Sequence, residues 1–188
     1  MPENAALLVM DVQRVIVERF GDDSGYLARV DEAISAARSA QIPVIYVVVG
    51  FRPGFPEISS RNFAFSATKR NATLGESGDG RMDVHPAIAP QAGDIVVTKR
   101  RVSAFAGSDL DVVLRGLEVT HLVLSGIATS GVVLSTVRQA ADLDFRLTVL
   151  QDACLDGDPE VHRVLTEKVF PRQAAVVSVQ EWAKALAG

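Results

Sequence analysis

Short, almost wholly apolar runs recur along the chain, and most of them are separated by stretches with helical periodicity. Runs of this length bounded by turn residues indicate strands that are buried on both faces. Strands that alternate with helices form parallel sheets covered on both sides, with right-handed crossovers. The sequence therefore predicts an α/β fold, a Rossmann-like three-layer doubly wound sandwich with a parallel sheet of about six strands. The predicted strands are 5–11, 43–50, 94–99, 121–126, 146–153 and 175–179.

Between these runs, apolar residues follow the spacing of amphipathic helices. In one such stretch, Ser108 is a candidate N-cap and Asp111 takes the acidic position of a capping box. Residues 51–83 lack periodicity, and a segment of this length is usually a functional loop, a lid or an oligomer contact. We expect a homodimer or homotetramer, with part of this segment at an interface or over a pocket. The predicted helices are 26–41, 108–118, 129–143, 159–170 and a short one at the C-terminus.

Composition limits the class of protein. The 188 residues fit a single domain, 1–188, with 48% hydrophobic and 22% charged residues. A net charge of −4 without a basic stripe argues against a nucleic-acid partner. No run is long enough for a membrane helix, and the N-terminus lacks the basic start of a signal peptide. A single cysteine excludes an internal disulfide, so we expect a cytoplasmic protein.

Chemically active residues follow three of the predicted strands. The first strand ends at Asp11, with Gln13 close behind, the third ends at Lys99, and the fourth leads into the glycine-bounded turn 126–132. Because ligands of doubly wound sheets bind at the carboxyl ends of the strands, this edge is the candidate site. A carboxylate drawn toward the interior needs a partner, and Lys99 is the obvious one. A structural ion pair and a catalytic pair account equally well for this spacing.

Three segments resemble the signature segments of the isochorismatase-like hydrolases: LLVMDVQ, TKRRVSAF (98–105) and SGIATSGVVLST. They occur in the family's order, and the resemblance covers nearly the whole chain. It implies the doubly wound fold and, for most members, a cysteine-hydrolase triad of Asp, Lys and Cys. The matching residues are Asp11, Lys99 and Val132. The resemblance also implies a cis peptide between Ile127 and Ala128, with the N–H groups of Ala128 and Val132 directed toward an oxyanion.

Position 132 departs from the family pattern, because valine cannot attack a carbonyl carbon. The lone Cys154 is better explained as a small buried residue than as a replacement nucleophile. Thr129 and Ser130 are expected to cap the following helix. No metal or other cofactor is expected: nicotinamidase-type members of the family carry an Asp/His cluster after the second strand, whereas residues 50–62 here contain no histidine and Glu57 as the only acid. The three scattered histidines, His85, His121 and His162, are expected to be surface or capping residues.

The resemblance offers a chemistry that needs no thiol. Isochorismatases cleave a vinyl ether to pyruvate and a dihydrodiol, and one general acid does most of that work. Asp11 would be this acid, acting on a small anionic metabolite with Lys99 holding it in place. Carboxylates of the substrate would bind arginines. The predicted substrate-binding residues are Gln13, Arg52, Arg61, Arg101, Phe105, Ile127, Ala128 and Thr129, with Arg81 as a further arginine candidate.

Two alternatives stay open at this point. The chain could be a non-catalytic member of the fold that binds a metabolite or serves in an assembly. It could also be an amidase that uses another nucleophile, with Cys154 as the candidate. The presence of both Asp11 and Lys99 favours an enzyme, since a pure binding protein has less reason to place an acid and an amine at this edge.

Overall fold

The computed structural model describes residues 4–20, 25–71, 74–76 and 78–187. The first three residues, part of the N-terminal segment for which no signal peptide is expected, lie outside this range, as do three residues of the irregular segment 51–83. No helix within the described residues is long and apolar enough to cross a membrane.

Six parallel strands form one sheet, as the apolar runs predict, in the order β3-β2-β1-β4-β5-β6. Chain order reverses next to β1, so the carboxyl ends of β1 and β4 form the switch point at which doubly wound sheets bind ligands. The strands are β1 (Ala5–Met10), β2 (Val44–Val49), β3 (Ile95–Lys99), β4 (His121–Ile127), β5 (Arg146–Leu155) and β6 (Ala175–Val177).

Each face of the sheet carries its own apolar layer. Side chains of β1 alternate between the layers: Leu7 and Val9 pack on one side, and Leu8 and Met10 on the other. This double burial explains why β1 is apolar at every position. The helices are α1 (Arg14–Phe20), α2 (Tyr26–Ser39), α3 (Phe63–Asn71), α4 (Leu110–Gly116), α5 (Leu134–Asp142), α6 (Pro159–Val164) and α7 (Val179–Ala187).

Several local predictions differ from the structure. The segment 51–83 is not wholly irregular, because it contains α3, whose Phe65 is buried against Phe51 at a ring-centroid distance of 5.6 Å. The capping box at α4 does not form: the Asp111 carboxylate pairs with Arg115 at 2.9 Å, and Ser108 accepts the Leu110 N–H. A surface ion pair one helical turn away competes successfully with the cap.

Candidate active site

An ion pair joins Asp11, just after β1, to Lys99, the last residue of β3. The Lys99 Nζ lies 2.9 Å from the Asp11 Oδ2, and the side chains are only 2% and 10% exposed, respectively. Because β2 separates the two strands, the lysine must extend along the carboxyl edge of the sheet to reach the acid. The predicted proximity is therefore confirmed, and the catalytic roles of the two residues stay predictions.

The two carboxylate oxygens of Asp11 have different surroundings. Oδ2 meets Lys99, whereas Oδ1 is buried and has no hydrogen-bond partner among the described residues. Burial raises the pKa of Asp11 above its ordinary value, and the charge and hydrogen bond of Lys99, together with the backbone N–H of Val49, counteract this only in part. Lys99 also donates to the backbone oxygen of Arg101 at 2.9 Å, which fixes the ammonium. The pair thus presents one oxygen able to accept a hydrogen bond or carry a proton.

The turn after β4 has the backbone that the resemblance implies, since the Ile127–Ala128 peptide bond is cis. Ala128 precedes a π-helical turn, Thr129–Val133, that leads into α5. Two side chains from the β5–α6 region hold this turn. The Ser130 N–H donates to Asp156 Oδ2 at 2.7 Å, and Thr129 Oγ1 lies 2.8 Å from His162 Nδ1.

The expected capping by Thr129 and Ser130 is therefore wrong. Neither side chain caps the turn, because the Thr129 hydroxyl is buried against His162 and the Ser130 side chain is exposed. His162 and Asp156 were missed as partners of the turn, because contacts across about 30 residues leave no periodic signal in the sequence.

Glycine is required at position 126, which pairs with Met10 of β1. Its φ of +148° lies in the region that favours glycine, and a Cβ there would come within 2.3 Å of the Met10 backbone oxygen. The end of β4 can therefore approach the end of β1 closely, at Met10, the residue before Asp11.

Val132, which the resemblance matches to the family's cysteine, lies in the π-helical turn. Its side chain is 2% exposed and packs in the apolar layer that also contains Val133 and Val137. The valine methyl groups bring no nucleophile or proton carrier to the turn, so any chemistry here must come from other groups.

Gln13 ties the end of β1 to two distant segments. Its Nε2 donates to the backbone oxygens of Val49 and Met82, and its Oε1 accepts the Val49 N–H at 2.8 Å. A β-bridge to Val84 adds a further contact. Both N–H groups of the Gln13 amide are therefore used within the protein, and neither is free to donate to a substrate. The predicted contact of Gln13 with substrate stays a prediction.

The candidate arginines differ in availability. Arg52 pairs with Glu57 at 2.7 Å, and Arg81 pairs with Asp79 at 2.7 Å. Arg101 donates to the backbone oxygens of Arg100 and Glu57. Arg61 is exposed on the surface before α3. Of these arginines, Arg101 is nearest in sequence to Lys99, whose ammonium donates to the Arg101 backbone oxygen. None of the four forms an ion pair or hydrogen bond with Asp11.

The side chain of Phe105 is buried in one apolar layer of the fold. Its ring packs against Phe145, with centroids 6.0 Å apart, and Phe145 directly precedes the amino end of β5. The Ala104 N–H donates to Thr136 in the first turn of α5, and the Arg100 N–H donates to the Ala106 backbone oxygen, so the backbone on either side of Phe105 stays near the carboxyl end of β3. The contact of Phe105 with substrate stays a prediction, because its ring is packed in the core.

Cys154 is buried in β5, and its Sγ lies 4.0 Å from the Leu124 backbone oxygen. Burial raises the pKa of this thiol to about 12, so almost no thiolate exists near neutrality. This agrees with the interpretation of Cys154 as a packing residue.

His85 has the expected capping role, whereas His121 and His162 are half-buried and contact threonines far away in the sequence. His85 caps a short 3-10 turn and His121 contacts Thr148 at 2.9 Å. Within the described part of the chain, no group of three His, Cys, Asp or Glu residues could hold a metal ion.

Comparison with known proteins agrees with this geometry. A model of the isochorismatase domain matches residues 5–181. The chain is 33% identical over 200 residues to the ureidoacrylate amidohydrolase RutB of Serratia proteamaculans, covering 95% of this chain and 77% of that protein.

Two solved structures extend the likeness to the fold. An isochorismatase family protein from Burkholderia thailandensis has a TM-score of 0.83 and 28% identity, with 98% of this chain and 96% of that chain covered. The N-carbamoylsarcosine amidase of Thermoplasma acidophilum has a TM-score of 0.77 and 26% identity, with 94% and 97% covered.

Proposed function

The chain belongs to the isochorismatase family of hydrolases, and we propose that it cleaves the C–N bond of a small anionic amide or ureido compound without a thiol nucleophile. The observation that carries this proposal is the buried Asp11–Lys99 pair, which leaves one carboxylate oxygen without a partner. The similarity to a ureidoacrylate amidohydrolase and an N-carbamoylsarcosine amidase supports the substrate class.

Asp11 would act as the general base in this reaction. It accepts a proton from water as the water oxygen adds to the carbonyl carbon, and it returns a proton to the leaving nitrogen as the C–N bond breaks. Lys99 holds the carboxylate in place, and the turn at 127–132 would supply N–H groups to the oxyanion. Valine at position 132 requires that water, rather than a side chain, attack the carbonyl.

Vinyl-ether hydrolysis of isochorismate is the second candidate. It is favoured by the raised pKa of Asp11, because a neutral carboxyl can donate a proton to the enol-ether carbon. The named amidohydrolase relatives weigh against it. A panel of ureido acids, N-carbamoyl amino acids, simple amides and isochorismate tests both. Ligand-induced thermal stabilisation without turnover on any of them would instead indicate the non-catalytic alternative.

The pH dependence of kcat/KM is expected to separate the two chemistries. A general base must be ionised, so amide hydrolysis is lost as pH falls through the pKa of Asp11, with a midpoint above the ordinary carboxyl value of 3.8. A general acid must be protonated, so vinyl-ether hydrolysis is lost as pH rises through the same pKa. A pH–rate profile on the best substrate measures the sign, and a loss of rate toward high pH would contradict the base role.

Val132→Cys is expected to give the chain a reactive thiol. Placed in the turn that the family's nucleophile occupies, the new cysteine should react with iodoacetamide at least on the order of a hundredfold faster than Cys154, whose thiolate is scarce. The rates are measured by mass spectrometry of labelled peptides. Val137→Cys is the control, because Val137 is fully buried in the same apolar layer outside the turn. If the cysteines introduced at positions 132 and 137 react equally slowly, the match of this turn to the family's nucleophile turn is wrong.

The expected homodimer or homotetramer, built in part from residues 51–83, stays a prediction. Light scattering at micromolar concentration tests it, and a monomer would contradict it.

A further inference from the structure

Two buried side-chain atoms stand out among the described residues because they have no hydrogen-bond partner: Asp11 Oδ1 and the hydroxyl oxygen of Tyr26. Leaving a buried polar atom unsatisfied costs on the order of 1–3 kcal/mol, so such atoms are rare and call for an explanation. One of them belongs to Asp11, the proposed general base. The other, on Tyr26, has no role in the mechanism described above.

Both atoms belong to the same region of the fold. Tyr26 opens α2, is 2% exposed, and packs in the apolar layer that contains Val9 and Val12, the residues that flank Met10 and Asp11. One helical turn later, Arg29 Nε donates to the Asp152 backbone oxygen of β5 at 2.6 Å. This contact places the start of α2 over the carboxyl half of the sheet.

Electrostatics supports the proximity. Burial raises the pKa of Tyr26 well above its ordinary value, Cys154 and Asp11 raise it further, and Arg29 lowers it. Cys154 pairs with Gly126, which pairs with Met10, so Cys154 shares one row across β5, β4 and β1 with the last residue of β1. Asp11 lies one residue beyond that row.

We propose that the Tyr26 hydroxyl and Asp11 Oδ1 together bind a buried water molecule, and that this water is the nucleophile of the hydrolysis. The second half of this inference rests on the proposed function. Water suits the pair because a carboxylate oxygen only accepts hydrogen bonds, whereas a phenol can donate one. Water donates a hydrogen to Asp11 and accepts one from Tyr26, which satisfies both orphaned atoms.

The same arrangement prepares the water to react. With one hydrogen directed to Asp11 and one lone pair engaged by Tyr26, the second lone pair is available to the substrate carbonyl carbon. As the C–O bond forms, the shared proton moves to Asp11, which passes a proton to the leaving nitrogen. The products are an acid and an amine or ammonia, and no further reactant is needed. Tyr26 thereby supplies the positioning that the valine at 132 cannot.

High-resolution crystals of the unaltered protein provide the first test. Electron density for one water within hydrogen-bond distance of both Asp11 Oδ1 and the Tyr26 hydroxyl is expected. Absence of such density in well-ordered crystals would overturn the proposal, and this test requires no variant to fold.

Tyr26→Phe provides the second test, because it removes only the hydroxyl. Loss of one hydrogen bond to the water is expected to raise the titration midpoint of Asp11, followed by carbon NMR, by about half a pH unit or more. It should lower kcat by about tenfold or more with little change in KM.

Tyr46→Phe is the matched control. The chain has two tyrosines, and Tyr46 is equally buried but lies on β2 with Arg38 Nη2 at 3.5 Å from its hydroxyl. This variant should leave the Asp11 midpoint and kcat unchanged. Identical behaviour of the two variants would overturn the proposal. If the protein hydrolyses nothing on the panel, the proposed function fails, while the density and the titration still decide whether the water is bound.

Discussion

Asp11→Asn is expected to reduce turnover by at least about a hundredfold, the factor typically lost with a general acid–base group. Asparagine keeps the shape of the side chain and an oxygen that can accept a hydrogen bond from Lys99, but it cannot take a proton from water. The substitution also leaves the ammonium of Lys99 buried without its counter-charge, so some loss of stability accompanies the loss of activity. Initial rates on the best substrate, corrected for the folded fraction by circular dichroism, measure the effect.

Asp94→Asn is the matched control for this experiment. Asp94 is a comparably buried carboxylate, with a side-chain exposure of 8%, that forms an ion pair with Arg38 just before β3 begins, at the opposite edge of the sheet. It should lower stability and leave the rate per folded molecule unchanged. If Asp11→Asn retained the rate of Asp94→Asn, the Asp11–Lys99 pair would be a structural ion pair only.

Gly126→Ala is expected to destabilise the fold by roughly 2–6 kcal/mol, because the backbone strain and the steric overlap each cost about 1–3 kcal/mol. The added Cβ would lie 2.3 Å from the Met10 backbone oxygen, where neither atom can move without separating β4 from β1. For a chain of this size, the melting temperature should fall by roughly 4–24 °C. Calorimetry or a thermal scan followed by circular dichroism measures it.

The control for this variant is Gly116→Ala, at the C-terminal end of α4. A Cβ at Gly116 meets no atom within 4 Å, and alanine is favoured over glycine in helices by about 0.5–1 kcal/mol. The same change should therefore leave stability unchanged or raise it slightly. Equal stability of both variants would mean that β4 can move away from β1 without cost.

The fold and the position of the Asp11–Lys99 ion pair could be predicted because both depend on simple rules. Strands buried on two faces must be apolar throughout, and the carboxyl ends of parallel strands share one edge. Asp11 and Lys99 therefore had to lie on the same edge, wherever their strands fell in the sheet. Membership of the isochorismatase family, shown by the match over residues 5–181, agrees with the three signature segments.

The residues that the sequence misplaced are those whose partners lie far away in the chain. The contact of the Phe105 ring with Phe145 could not be read from the sequence, and the place of Phe105 in the site stays a prediction. Thr129 looks like a helix cap until His162 is brought to its hydroxyl. Tyr26 follows the apolar spacing of an ordinary core position, and only the structure shows that its hydroxyl lacks a partner. Periodicity reports which face a residue occupies and carries no information on the polar atom at its tip.

The contacts of Gln13 have a consequence for how the site comes into being during folding. The residues joined by its side chain are 36 and 69 positions away in sequence, so these bonds close only after long loops have been brought together. Asp11 itself has a φ of +57°, a conformation that β1 alone does not favour. The orientation of the carboxylate is thus a product of the completed tertiary structure. A fragment that ends before residue 82 would contain Asp11 without the geometry that its proposed role as a general base requires.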